Sequence, residues 1–236
     1  MNKKLLMIPG PTEVAFNVMR EMSTPMGPHY GKEWASFYNN TVDMMKEIIA
    51  TKNDLFIHVG SGNAALEAVI GSVVEENEEV LVLNSGFFSD RVTDMIRSYH
   101  AQPIQMKVDW GEAVDPKKVD DYLKENYKKY RLVTLVHHET STGVRNPVKE
   151  ITKVVKKYGL LMFVDCVCSI GVTEYKMDEW GIDFTATASQ KGLGAPPGLC
   201  IISVSEQGWK AIESRKKKPS GWYLNLHIMR DFLIND

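Results

Sequence analysis

Leu132-Val133-Thr134-Leu135-Val136 and Leu160-Leu161-Met162-Phe163-Val164, the second running straight into Asp165, decide the fold. Each is a near-continuous apolar run, and neither alternates as a strand with one wet face would. Short runs of this kind are strands covered on both faces, which belong to mostly parallel sheets flanked by helices. Between them, the stretch from about Val148 to Tyr158 has the helical spacing of a crossover, which a parallel pair requires.

Working outward, the same alternation extends toward the N-terminus. Asp54–Val59 predicts a strand, Asn63 to about Val74 a helix, Glu79–Leu83 a strand, about Phe88 to Tyr99 a helix, and Pro103–Val108 a strand. Asp115-Pro116 opens a further helix, with a capping carboxylate followed by proline at the first helical position. Upstream of all these, Glu33–Ala50 predicts a helix whose apolar stripe holds Phe37, Val42, Met45, Ile48 and Ile49, and the residues from Pro11 to Gly31 predict irregular chain. Toward the C-terminus, Asp183–Ser189 and Leu199–Val204 are two strands joined by a loop too short for a crossover helix, so they should pair antiparallel. The expectation is an α/β fold: a seven-stranded, mostly parallel sheet with one antiparallel strand, flanked by helices, over residues 33–236, preceded by an irregular segment over residues 1–32.

The 236 residues are 44% hydrophobic and 25% charged with a formal net charge of -2, a balance that argues against an electrostatic grip on nucleic acid or an anionic membrane. The cationic run Arg215-Lys216-Lys217-Lys218 reads as a solvated face. No apolar run approaches the ~20 residues of a membrane span. Met1 to Ile8 is basic then apolar, but Pro9-Gly10-Pro11 interrupts it too early for a signal peptide, so the expected compartment is the cytoplasm. Three cysteines, Cys166, Cys168 and Cys200, form no disulfide framework, and Cys-x-Cys beside the distant His137-His138 is a poor match to zinc spacings; no metal is expected.

In open α/β sheets, ligands lie at the C-terminal ends of the strands. Gly60-Ser61-Gly62-Asn63 stands there between a strand and a helix, where free amides suit a phosphate or simply make a tight turn. Asp165 ends an apolar strand; its carboxylate needs a partner, which a pyridinium N–H would supply, and a turn-capping role accounts for it equally. Lys191 follows another apolar strand and enters the small-residue loop Gly192-Leu193-Gly194-Ala195-Pro196-Pro197-Gly198, where partial desolvation would favour a nucleophilic amine.

Four segments, Ser61–Ala68, His138–Gly143, Val164–Ser169 and Ser189–Gly198, together with the opening Pro9-Gly10-Pro11-Thr12, resemble the motifs of class V aminotransferases, in order and over essentially the whole chain. The nearest resemblance within that class is to the alanine–glyoxylate and serine–glyoxylate (serine–pyruvate) group. It implies a fold type I large domain that binds pyridoxal 5′-phosphate (PLP). It also implies a homodimer and transamination between a small amino acid, alanine or serine, and a 2-oxo acid, glyoxylate or pyruvate.

The resemblance further implies the following roles. Lys191 carries the cofactor as a Schiff base and moves protons, Asp165 holds the pyridine nitrogen protonated, and Phe88 stacks on the ring. Thr140 bonds near the phenolic oxygen, while Ser61, Gly62, Asn63 and Gln190 hold the phosphate.

Asn63, and Pro28-His29-Tyr30 where many relatives have Gly-His-Arg, depart from the pattern. Relatives also continue beyond the position of Asp236 into a small domain with a substrate-binding arginine, so the chain alone is expected to be an incomplete enzyme. The arginines it does have, Arg91 among them, fall mostly on predicted helices or at strand N-termini, away from the cofactor. Two alternatives remain. One is a cofactor-binding fragment without turnover. The other is a cysteine desulfurase, disfavoured because Ser189-Gln190-Lys191 lacks the Ser-x-His-Lys pattern and Phe88 stands in place of a stacking histidine.

Overall fold

The computed structural model describes residues 5–219 and 221–235; the expectation drawn from the first four residues lies outside the described ones. Seven strands form one sheet: β1 (Asp54–Val59), β2 (Glu79–Asn84), β3 (Gln102–Lys107), β4 (Leu132–Val136), β7 (Leu161–Asp165), β8 (Phe184–Ala188) and β9 (Leu199–Val204), in the order β1-β9-β8-β7-β4-β2-β3. The intervening β5 (His138–Glu139) and β6 (Val144–Arg145) make a separate two-residue ladder. Strand β9 is antiparallel to both its neighbours, β1 and β8, while the other pairings are parallel, so one strand runs against six. The reversed strand is the one its short connecting loop predicts.

Helices cover both faces. On one side lie α3 (Gly62–Val73), α4 (Phe87–Ser98), α8 (Glu206–Glu213) and α9 (Leu226–Asn235). On the other lie α2 (Lys32–Ile49), α5 (Pro116–Asn126), α6 (Val148–Lys157) and the short α7 (Met177–Trp180). The strands feed both layers alternately. In β2, Val80 and Val82 join the core under α3 and α4, whereas Leu81 and Leu83 join the core under α5 and α6; Phe163 and Met162 divide in the same way on β7. A sheet wet on neither side has no reason to alternate polar with apolar, hence the continuous runs. The cap predicted at Asp115 is present, its carboxylate accepting the Lys117 amide at 2.8 Å.

Two expectations change. The segment taken as irregular carries a six-residue helix, α1 (Phe16–Glu21). On α2, Val42, Met45 and Ile49 are buried, but Phe37 and Ile48 are exposed at 64% and 46%. Helical spacing identifies residues that share a face; it does not determine how wide a face the sheet covers. Among the described residues no helix is long and apolar enough to cross a membrane.

Candidate active site

Because six strands point the same way, the loops after β1, β2, β4, β7 and β8 meet at one end of the sheet. There they enclose a cavity of about 270 Å³. Ser61, Gly62, Asn63, Phe88, Thr140, Asp165, Gln190 and Lys191 all line it, so every site residue expected from the sequence stands at one cavity. Arg91, His138 and Cys168 line it too; His138 and Cys168 lie in the segments His138–Gly143 and Val164–Ser169 that carry the resemblance, without a role of their own, and Arg91 lies outside all four segments. Its position on a predicted helix puts Arg91 among the arginines expected mostly away from the cofactor. The α4 helix instead carries it onto the same face as Phe88, three residues earlier, and (i, i+3) spacing is the signal that would have found it.

The wall near β1 is the N-terminus of α3. Ser61 is its N-cap residue, yet the side chain makes no capping bond, which leaves the hydroxyl and the Gly62 and Asn63 amides for a ligand. Gly62 is needed for closeness: a Cβ there would lie 2.7 Å from Cγ2 of Val167. Opposite, Oε1 of Gln190 is buried without a partner among the described residues. A buried acceptor left alone costs free energy unless a ligand donor meets it.

Lys191 is half-buried. Its loop is fixed by the Gly194 amide donating to the Lys191 carbonyl at 3.0 Å and by the Ser189 hydroxyl donating to the Pro196 carbonyl at 2.6 Å. The N-terminal segment lies across it. The Thr12 amide donates to the Gln190 carbonyl at 2.9 Å and its hydroxyl to the Lys191 carbonyl at 2.8 Å. A Cβ on Gly10 would lie 2.6 Å from Lys191 Nζ, so a larger residue there would push the lysine side chain from its place.

Asp165 is 6% exposed and accepts the Val167 amide at 2.9 Å. Burial is the main influence on its carboxyl, pushing the pKa up to about 6. The Val167 amide opposes this, the Glu139 carboxylate adds to it, and Arg91 and Lys191 draw it down. A cation brought against it would relieve the burial penalty. His138, also in the lining, is held below the usual imidazole range by burial and by Arg145. The Thr140 hydroxyl donates to Cys168 Sγ at 2.8 Å rather than standing free; rotation of that hydroxyl would have to release the sulfur before it served a ligand.

Glu139 organises the wall near β2. Fully buried, its carboxylate accepts the Phe88 amide at 3.2 Å, the Ser89 amide and hydroxyl at 3.1 Å, and the Ser141 hydroxyl at 2.6 Å. It thereby caps the N-terminus of α4, where a negative charge is favoured, and ties the Phe88 segment to the Thr140 loop. Glu139→Ala should destabilise the fold by on the order of 3 kcal/mol, since several buried donors lose one charged acceptor. Glu139→Gln, whose NH₂ group would face donors, should fall between. Urea unfolding measures both, and an alanine variant within experimental error of the parent would show the clamp to be inert.

The sequence model described as aminotransferase class-V matches residues 12–224. An uncharacterized aminotransferase of Methanocaldococcus jannaschii is 41% identical over 224 residues, covering 95% of this chain and 58% of that protein. Alanine–glyoxylate aminotransferase 1 of Saccharomyces cerevisiae is 37% identical over 212 residues, covering 86% and 54%. The crystal structure of ureidoglycine–glyoxylate aminotransferase from Bacillus subtilis superposes with a TM-score of 0.94 at 32% identity, covering 99% of this chain and 60% of that one. The chain thus spans a little over half the length of the relatives it matches.

Proposed function

The chain belongs to the class-V aminotransferases, and from that premise we propose that its cavity binds PLP and serves transamination between a small amino acid, alanine or serine, and glyoxylate or pyruvate. The observation that carries this reading is the convergence of Lys191 and Asp165, from different strands, on one cavity with the α3 N-terminus. The residues fit the cofactor. The uncapped turn at Ser61 and the amides of Gly62 and Asn63 suit its phosphate, Phe88 offers a ring face, and Asp165 makes no ion pair among the described residues. On this reading residues 33–236 are the cofactor-binding large domain, and residues 1–32 are the segment that straps its lysine.

When bound, PLP supplies an electron sink for the charge left at the substrate Cα as its proton departs. The chain's own groups do the rest. Lys191 would supply the amine that holds the cofactor aldehyde and, freed once the substrate's amine takes its place, would accept the Cα proton and return it two bonds away. Asp165, ionised, would hold the proton on the cofactor's ring nitrogen. Phe88 fixes the ring plane from one side, with its backbone held by Glu139. The strap of Gly10 and Thr12 limits the positions open to the Lys191 amine, which is the positioning that proton transfer requires. A homodimer belongs to the same proposal. The exposed Trp34, Phe37, Met44 and Ile48 of α2 are apolar surface for a second subunit to cover, and a monomer mass in sedimentation at micromolar concentration would remove this part.

The test is chemical. The full-length protein reconstituted with PLP and treated with borohydride should yield one labelled peptide, the one containing Lys191, and should convert glyoxylate to glycine with alanine or serine as donor, whereas residues 1–236 alone should not turn over at an enzyme's rate. Label on a different lysine would end the assignment, and turnover with neither donor would end the substrate reading.

A further inference from the structure

The cavity contains a cation for which the reaction described above has no use. Arg91 lies on α4 with its guanidinium over the Phe88 ring, Cζ 4.9 Å from the centroid, and 5.2 Å from that of Phe87. Its Nη1 donates to Asn63 Oδ1 at 3.3 Å, a neutral and long contact. Arg97, Arg131 and Arg230 each meet a carboxylate. Arg91, among the described residues, makes no such pair, although it is half-buried in the wall of a concave site. A guanidinium lying on aromatic faces is partly desolvated along its plane, so its attraction for an anion at its free edge is stronger than on an open surface.

The place of this cation indicates which anion. Asn63, its anchor, is the second residue of α3, so the guanidinium stands beside the turn whose capping hydroxyl and first two amides are uncommitted. A helix N-terminus and a guanidinium side by side favour a doubly charged group with several acceptor oxygens over a singly charged carboxylate. We propose that Arg91 is a phosphate-binding residue, closing with Ser61, Gly62 and Asn63 on the 5′-phosphate of the cofactor, a step that rests on the PLP reading. Through its contact with the Phe88 ring, the same side chain links the phosphate end of the site to the aromatic wall.

The experiment uses the whole protein stripped of cofactor and compares the parent with Arg91→Gln and Arg91→Lys, their folding checked by circular dichroism. Each is titrated calorimetrically with inorganic phosphate, with PLP, and with pyridoxal, which lacks the phosphate. Arg91→Gln should weaken inorganic phosphate and PLP by about 10- to 100-fold, the worth of one charge-assisted hydrogen bond. Pyridoxal should bind as it does to the parent, and Arg91→Lys should fall between. Unchanged affinity for phosphate and PLP would overturn the assignment, as would an equal loss for pyridoxal, which would mean that Arg91 acts only by holding Phe88. A raised KM for glyoxylate or the amino donor with cofactor affinity intact would overturn it in favour of a substrate carboxylate. A parent that binds inorganic phosphate but neither PLP nor pyridoxal would sink the cofactor reading itself, while a loss of phosphate affinity in Arg91→Gln would still identify the oxyanion ligand.

Discussion

Lys191→Ala should reduce turnover by about 10⁴ or more while leaving cofactor binding measurable, because one amine performs two tasks that fail together. Attachment of the aldehyde and transfer of the Cα proton both require a basic nitrogen at that point in the cavity. The remaining anchors do not depend on it. The α3 turn and the Phe88 wall come from other parts of the backbone, and the loop bonds that shape residues 189–196, Gln190 included, involve main-chain atoms and Ser189, not the Lys191 side chain. The expected results are therefore a PLP dissociation constant raised but finite, no borohydride label, and partial return of turnover on adding a small primary amine that enters the space the side chain leaves. An alanine variant with more than about a tenth of parental turnover would take the role from Lys191.

The parts of this architecture legible in the sequence are those fixed by local pattern. The runs in β4 and β7 show burial on both faces, and the short link from β8 to β9 forces an antiparallel pair. Lys191 and Asp165 stand out because one follows and the other ends an apolar strand at the edge where such sheets bind ligands. What escaped notice depends on partners far away in the chain. Glu139 reads as one more polar loop residue until the amides of Phe88 and Ser89, some fifty positions earlier, fold onto it. Asn146 is similar: it is 1% exposed, it donates to the Ser85 hydroxyl and the Val136 carbonyl, and it accepts the Val114 amide, stapling three loops that no periodicity connects. Arg91 is a different case, since its spacing from Phe88 was visible. A charged residue on an amphipathic helix is ordinarily solvated, and only the closing of α3 against α4 turns this one inward.

Asp165→Asn should separate function from stability in a single substitution. In the folded protein without cofactor, burial raises the carboxyl pKa from 3.8 to about 6. Between those two values the unfolded chain has already released a proton that the folded chain retains. Folding stability therefore falls as pH rises through that interval and does not recover above it. The shift corresponds to about 2–3 kcal/mol at 1.36 kcal/mol per unit. Asparagine keeps the oxygen that accepts the Val167 amide and removes the charge, so the cofactor-free variant should be more stable than the parent at pH 8 by about 1–3 kcal/mol. That advantage should shrink toward zero as pH is lowered through 6 to 4. With PLP bound the order reverses. The parent carboxylate gains the pyridinium N–H it lacks, whereas asparagine cannot hold that proton, and turnover should fall by about 10²–10⁴ because the ring no longer absorbs the charge leaving Cα. Denaturant unfolding of both cofactor-free proteins at pH 5 and pH 8, set beside their steady-state rates, measures the two effects. A variant no more stable at pH 8 would mean that Asp165 is not strained by burial, and a rate within a few-fold of the parent would reduce it to a turn-capping residue.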